Sequence, residues 1–160
     1  MKRMLCIACT LLLLCCVACA RVSQKSEPLT LSYRGVALFI GMDEEEMLSA
    51  LGKDYTVSEA QSCAGQGLDR LYTYPSVRLY VFAPQGGKGT LTSVSYTDDT
   101  VMTSDGLYIG CTADEVIARR GEPTQRDAAT LVYRQGEAEL VFSLRDGHVT
   151  GITLMQGSHE

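Results

Sequence analysis

The chain has 160 residues, of which 14 are basic and 19 acidic, so its net charge is −5 at pH 7. Its length allows one ordinary domain or two small lobes, and its hydrophobic fraction of 46% is typical of a globular protein. The acidic balance argues against a nucleic-acid partner, because binding to a phosphate backbone relies on lysine and arginine.

The first 18 residues have the pattern of a bacterial lipoprotein signal peptide. Two basic residues precede an apolar run at residues 4–18, which is short for a membrane span. The run leads into the sequence Cys-Val-Ala-Cys, which resembles a lipobox, where small residues precede the cysteine that is lipidated. We therefore expect a lipid anchor on Cys19 that holds the protein on the extracytoplasmic face of the cell membrane. An ordinary secretory signal or a buried helix is the alternative interpretation.

Residues 19–30 are polar and are predicted to be a tether. Seven cysteines occur in the chain, and only Cys63 and Cys111 lie beyond the predicted lipidation site. An even pair in an extracytoplasmic protein favours a disulfide between them. Two buried free thiols are the alternative, since Cys111 occupies a position that looks packed.

Residues 31–97 are predicted to form the first of two repeats. The segment 38–52, LFIGMDEEEMLSALG, predicts a short helix with Asp43 as its N-cap, Glu46 three residues later and Gly52 as its stop. Strand candidates follow at residues 68–74, 77–83 and 91–97.

The first predicted sheet carries apolar side chains on both faces. Alignment with Leu140 and Phe142 of the second repeat places Tyr80 and Phe82 towards the core. The same face receives Tyr72, Tyr74, Val94 and Tyr96, and the opposite face receives Leu71, Val77, Leu79 and Val81. Either that opposite face is covered by the rest of the chain, or it is a patch for a protein partner. The candidate partner surface comprises Leu71, Tyr72, Tyr74, Val77, Leu79, Tyr80 and Val81.

Residues 98–106, DDTVMTSDG, form the predicted joint between the repeats. Its carboxylates, Asp98, Asp99 and Asp105, are candidates for holding a calcium ion, since hard cations take clustered oxygen ligands. A solvated linker is the preferred interpretation, because the spacing of a known calcium loop is missing. No other metal site and no cofactor is predicted.

Residues 107–156 are predicted to repeat the pattern with clearer signals. The segment 107–123, LYIGCTADEVIARRGEP, aligns with residues 38–52 at an offset of 69. Thr112 and Glu115 predict a capping box, and Gly121 predicts the end of the helix. Strand candidates follow at residues 129–134, 138–145 and 148–155, the last two joined by an Asp-Gly hairpin turn. The predicted fold class is α+β, with two tandem repeats that each pack a short helix on a three-stranded or slightly larger antiparallel meander.

This arrangement resembles a known family. A lipobox followed by two copies of an Ile-Gly-x-(Thr/Asp)-x-x-Glu helix, a glycine stop and a strand meander is similar to the β-lactamase inhibitor protein fold. It also resembles small outer-membrane assembly lipoproteins of the SmpA/OmlA type. The resemblance covers residues 36–155 and implies a binding or scaffolding module, without enzymatic activity, whose sheet surface contacts another protein. No inhibitory residue can be carried over, since only the helix motif matches.

The sequence therefore predicts a lipid-anchored extracytoplasmic interaction or scaffolding module without catalytic activity. The two histidines, His148 and His159, lie after a hairpin turn and near the terminus, so neither is expected to act as a base. The alternative hypothesis is a small-ligand or calcium-binding lipoprotein that uses the acidic joint or a cluster of Tyr72, Tyr74 and Tyr80.

Overall fold

The computed structural model describes residues 28–63 and 65–157. The predicted signal peptide, the lipidation site Cys19 and His159 lie outside the described residues. Within those residues the chain forms ten β-strands and two α-helices. Neither of the two described helices has the length and apolar character needed to cross a membrane.

Most of the described strands belong to one antiparallel sheet. Helix α1 (Glu44–Leu51) precedes the first strand of this sheet, and helix α2 (Ala113–Arg120) lies midway along the chain. The strands are β1 (Leu31–Tyr33), β2 (Val36–Leu38), β3 (Thr56–Gln61), β4 (Gly67–Tyr74), β5 (Val77–Pro84), β6 (Thr90–Tyr96), β7 (Gln125–Arg126), β8 (Thr130–Gln135), β9 (Ala138–Arg145) and β10 (His148–Gln156). Eight strands pair in the order β3-β4-β5-β6-β10-β9-β8-β7, whereas β1 and β2 form a separate hairpin.

The predicted fold class of two tandem α+β repeats is wrong. The protein is mostly β, and the two predicted repeats share a single sheet. Strands β6 and β10, which end the two predicted repeats, pair directly, with Val94 opposite Leu154 and Tyr96 opposite Ile152. The buried side chains of both halves accordingly form one hydrophobic core. Local sequence signals indicate helices and hairpins, but they carry no information about this long-range pairing.

The helix boundaries follow the local chemistry that the sequence predicts. The Asp43 carboxylate accepts hydrogen bonds from the N–H groups of the second and third residues of α1, Glu45 and Glu46, at 2.9 and 3.2 Å. Thr112 forms the predicted capping box at the start of α2. Each helix ends at a glycine with a positive φ, +79° at both Gly52 and Gly121, where glycine lacks the steric penalty of other residues. The predicted caps and stops are confirmed.

Both helices and the β1–β2 hairpin lie on the same face of the large sheet. The Tyr74 hydroxyl donates to the carbonyl of Gly52 at the end of α1 at 2.8 Å, and the Tyr96 hydroxyl donates to the carbonyl of Ser32 in β1 at 2.7 Å. The Tyr133 hydroxyl similarly reaches the end of α2. No described helix or hairpin packs on the opposite face of the sheet, which we call the open face.

The predicted orientation of β5 is reversed. Val77, Leu79 and Val81 are at most 1% exposed and face the helices, whereas Tyr80 is 41% exposed on the open face. Strand pairing places Leu79, and not Tyr80, in the same cross-strand row as Leu140. Because side chains alternate along a strand, this shift of one residue moves every side chain of β5 to the other face.

Candidate functional site

The open face is organised in two rows of side chains that run across the strands. The first row is Ser58, Leu71, Tyr80, Ser93, Met155, Glu139 and Arg134. The second row is Thr56, Thr73, Arg78, Ser95, Thr153, Val141 and Val132. Serine and threonine occupy four of the seven positions of the second row, whereas the first row has two serines and five larger side chains.

Tyr80 and Met155 are the large apolar side chains that project from the first row. They are 41% and 40% exposed, and Ser93 on the intervening strand separates them. Two strand spacings amount to about 10 Å, so a single partner residue can contact both side chains. A shallow depression of about 390 Å³ lies beside Tyr80 and is lined in part by Ser58, Leu71 and Thr92.

Arg78 supplies an unpaired positive charge in the second row. Its side chain is exposed, and it makes no hydrogen bond or ion pair with another described residue. By contrast, Arg134 at the far end of the first row is neutralised by Glu139 at 2.6 Å. Arg78 and Tyr80 are two positions apart on one strand, so the charge and the aromatic ring share a face.

The structure divides the predicted partner surface between the two faces. Leu71 and Tyr80 lie on the open face. The other predicted residues face the helices and are buried there: Tyr72, Tyr74, Val77, Leu79 and Val81. Arg78 and Met155 are not among the residues predicted from the sequence. Each follows a buried residue on its strand, and this alternation, read in the correct register, places both on the open face.

Glu44 is the centre of a polar network between α1 and the sheet. This residue is only 7% exposed, and its carboxylate accepts from the Tyr72 hydroxyl at 2.5 Å and from Arg70 at 2.8 Å. Arg70 also donates to Glu59 at 2.7 Å. Burial, together with the hydrogen bond to Glu44, raises the pKa of Tyr72, so its hydroxyl stays protonated and donates. The charged and hydroxyl groups of this network bond to one another, and these bonds attach α1 to β4.

The two cysteines of the described chain are free thiols. Cys63 is exposed in the loop after β3, while Cys111 is 3% exposed just before α2. The structure therefore agrees with the free-thiol alternative, except that only one of the two thiols is buried. Burial raises the pKa of Cys111, which disfavours the reactive thiolate.

The acidic joint uses its carboxylates locally. Asp98 accepts from the backbone N–H and the hydroxyl of Thr100, and these hydrogen bonds lower the pKa of Asp98. Asp105 accepts from Thr103 and is ion-paired with Arg120 at 2.8 Å. In the part of the chain that the structure describes, no three histidine, cysteine or acidic residues are grouped to hold a metal ion.

A second cavity, of about 450 Å³, lies where β3 ends, β4 begins and β5 ends. Its lining consists of glutamine, glycine, proline, leucine and alanine residues together with Arg70. These side chains include no hydroxyl, thiol, carboxylate or imidazole, so the lining offers no pair of nucleophile and base. His148 is exposed elsewhere, with its Nδ1 3.0 Å from the carbonyl oxygen of Asp146.

Comparison with protein-family models, with curated proteins and with solved structures finds no match to this chain. The open face combines two exposed large apolar side chains, Tyr80 and Met155, with the unpaired charge of Arg78.

Proposed function

We propose that this protein is a lipid-anchored, extracytoplasmic interaction module, without catalytic activity, that binds a partner protein with its open face. The observation that carries the proposal is the pair Tyr80 and Met155, which project from a sheet face that no described helix covers. Aromatic residues and methionine are enriched in the centres of protein interfaces. The anchor is inferred from the sequence pattern that ends at Cys19.

A protein suits this surface better than a small molecule does. Sites for small molecules are concave and enclose most of the ligand, whereas the rows of the open face extend across seven strands. The depression beside Tyr80 is shallow and open to one side of the sheet. Tyrosine and arginine are also the residues that contribute most often to the energetic centres of interfaces.

Arg78 indicates the charge of the partner. An unpaired guanidinium next to an aromatic ring can form a charge-assisted hydrogen bond with a carboxylate. The rest of the protein is acidic, so this arginine gives the open face a charge that differs from its surroundings. We infer that the partner places an aspartate or glutamate against Arg78.

The alternative, a small-ligand or calcium-binding lipoprotein, has less support. Tyr72 and Tyr74 face the helices while Tyr80 lies on the open face, so the three tyrosines do not form a cluster. Asp98 and Asp105 already accept local hydrogen bonds. By contrast, the proposed interaction surface uses Arg78, Tyr80 and Met155, which are exposed on the open face.

Site-specific photo-crosslinking in the native host tests the proposal. A photoreactive side chain replaces Tyr80 or, as the matched control, Tyr108, which is also 41% exposed but lies outside the sheet. We expect one discrete crosslinked protein from position 80 and none from position 108. The same crosslink should weaken at least about tenfold when Arg78→Glu is added, because removing a charge pair at an interface costs about 2 kcal/mol. Equal crosslinking from both positions would contradict the proposal.

A pair of neighbouring substitutions separates loss of binding from loss of folding. Leu79→Lys buries an unpaired charge and should lower the free energy of unfolding by at least about 4 kcal/mol. Tyr80→Lys, one residue away, should change it by at most about 0.5 kcal/mol, because the new side chain lies in solvent. Urea denaturation measures both values. A large loss of stability in Tyr80→Lys would mean that the open face is covered in the folded protein.

The anchor has its own test, which does not depend on the partner. Mass spectrometry of the protein from the membrane fraction should show a chain that begins at Cys19 and carries a diacylglyceryl group. An unmodified chain cleaved at another position would remove the lipid anchor from the proposal and leave the open face unaffected.

A further inference from the structure

Strand β3 is an edge strand without the usual protection against pairing. All six of its residues are exposed, and it pairs only with β4. Its sequence, TVSEAQ, contains no lysine or proline, and its pairing with β4 runs without a bulge. Its one charged side chain, Glu59, turns back to Arg70. Natural edge strands commonly use lysine, proline or a bulge to prevent association, and β3 uses none of them.

The opposite edge of the sheet is built differently. Strand β7 has only two residues, Gln125 and Arg126. Beyond it, the N–H of Arg134 in β8 is occupied by a hydrogen bond to the Thr124 hydroxyl at 3.0 Å. This edge therefore offers no stretch of free backbone that matches the length of β3.

The pairing of β3 with β4 shows which backbone groups are free. Ser62 donates its N–H to the carbonyl of Gly67 at 3.0 Å, in the register that continues the β3–β4 ladder. Hydrogen-bonded positions alternate in an antiparallel pair, so Thr56, Ser58 and Ala60 direct their N–H and C=O groups to β4. The same groups of Val57, Glu59 and Gln61 therefore point to the free edge.

We propose that β3 pairs with β3 of a second copy of this chain, antiparallel and about a two-fold axis that passes between the two Ser58 residues. In this register Val57 of each copy lies opposite Glu59 of the other, and the pair exchanges backbone hydrogen bonds on both sides of the axis. The register centred on Glu59 would instead place two carboxylates opposite each other, which is destabilising. Val57, which is 53% exposed in the single chain, gains a neighbour.

The two edges explain why the assembly stops at two copies. A head-to-tail contact would need β3 to pair with the β7 edge, which is too short to accept it. An interface that uses the same strand in both copies is self-complementary, so the two copies occupy each other's free edge and no third copy can add there. The axis is perpendicular to the sheet, so both open faces point to the same side. This dimer does not depend on the function proposed above.

Cysteine crosslinking of the full-length protein, kept in detergent if it carries lipid, tests the register. In a Cys63→Ser background, Ser58→Cys places two thiols across the axis with Cα atoms about 4.5 Å apart, within the range that a disulfide spans. We expect mild oxidation to link the two introduced thiols, identified as one crosslinked peptide. Thr56→Cys is the matched control and should not link to itself, because it lies opposite Ala60.

Sedimentation provides the second measurement. We expect two chains per particle for the unmodified protein and one for Glu59→Pro, which removes an N–H that points to the free edge. This substitution leaves the backbone hydrogen bonds to β4 in place but removes the side-chain pair with Arg70. Circular dichroism should show the same fold for both. A single chain at every soluble concentration, or equal crosslinking by Ser58→Cys and Thr56→Cys, would overturn the proposal.

Discussion

Helices α1 and α2 are attached to the sheet identically at their C-terminal ends. The Tyr74 hydroxyl donates to the Gly52 carbonyl at 2.8 Å, and the Tyr133 hydroxyl donates to the Gly121 carbonyl at 2.9 Å. The two glycines are 69 positions apart, which is the offset of the two helix sequences. A tyrosine from the sheet thus satisfies a carbonyl that the end of each helix would otherwise leave unpaired.

The N-terminal ends of the two helices differ. Helix α1 begins with Glu44, which is buried and bonded to Tyr72 and Arg70. Helix α2 begins with Ala113, whose N–H donates to the Gly147 carbonyl at 2.9 Å, and the side-chain contacts of this end are those of the capping box of Thr112 and Glu115. The same attachment of helix to sheet is therefore stabilised by a buried polar network at the start of α1 and by a surface capping box at the start of α2.

Of the contacts that attach the two helices, the buried Glu44 carboxylate should contribute most to the free energy of unfolding. Glu44→Ala leaves the Tyr72 hydroxyl without its acceptor and removes one of the two carboxylates that pair with Arg70. We expect the free energy of unfolding to fall by about 2–3 kcal/mol. Urea denaturation measures the change, and Glu45→Ala, at the next and exposed position, is the control. Similar losses in both variants would show that the network contributes nothing beyond helix formation.

The shared tyrosine contacts should give smaller and equal effects. Tyr74→Phe and Tyr133→Phe each remove one hydrogen bond to a glycine carbonyl, at a cost of about 1 kcal/mol. Burial raises the pKa of Tyr74 to about 12 and also raises the pKa of Tyr133, so both hydroxyls remain donors at neutral pH. Thermal unfolding of the two variants should agree within experimental error. A large difference would mean that the two helix ends are not held in the same way.

The surface cap of α2 should give the smallest effect, visible only in acid. Hydrogen bonds from the Thr112 backbone and hydroxyl hold the pKa of Glu115 below its usual range. Because the folded pKa is lower than the unfolded value of about 4.3, the stabilisation is complete above that value and is lost as the pH falls through the folded pKa. Glu115→Gln should therefore flatten the dependence of stability on pH below about 4.3. An unchanged slope would contradict the capping role.

Local chemistry made part of the fold predictable. Asp43 and Thr112 as caps, glycine stops and the Asp-Gly turn before β10 each depend on neighbouring residues, so a single sequence is sufficient. The pairing of β6 with β10 joins residues 56 to 62 positions apart, from Tyr96 with Ile152 to Ser93 with Met155, and no neighbouring residue encodes it. Strand β3 was hard to recognise because all of its side chains are exposed, which leaves no alternation to detect.

Only some residues of the open face were predictable from the sequence. Tyr80 and Leu71 belong to the predicted partner surface, but the prediction placed Tyr80 in the core and counted Leu79 on the outer side. A shift of one residue in aligning β5 with β9 caused both errors. Arg78 and Met155 became recognisable only when strand pairing showed which side chains share a face.

The order of the strands also has a consequence for folding kinetics. Strands β3 to β6 form one meander and β7 to β10 form another, so every contact inside each meander is between strands adjacent in the chain. Among the strand pairings of this sheet, only that of β6 with β10 joins strands that are distant in the chain. Since local pairings form faster than distant ones, we expect the β6–β10 junction to limit the rate of folding. The first meander can also assemble during synthesis, before the ribosome has released β10.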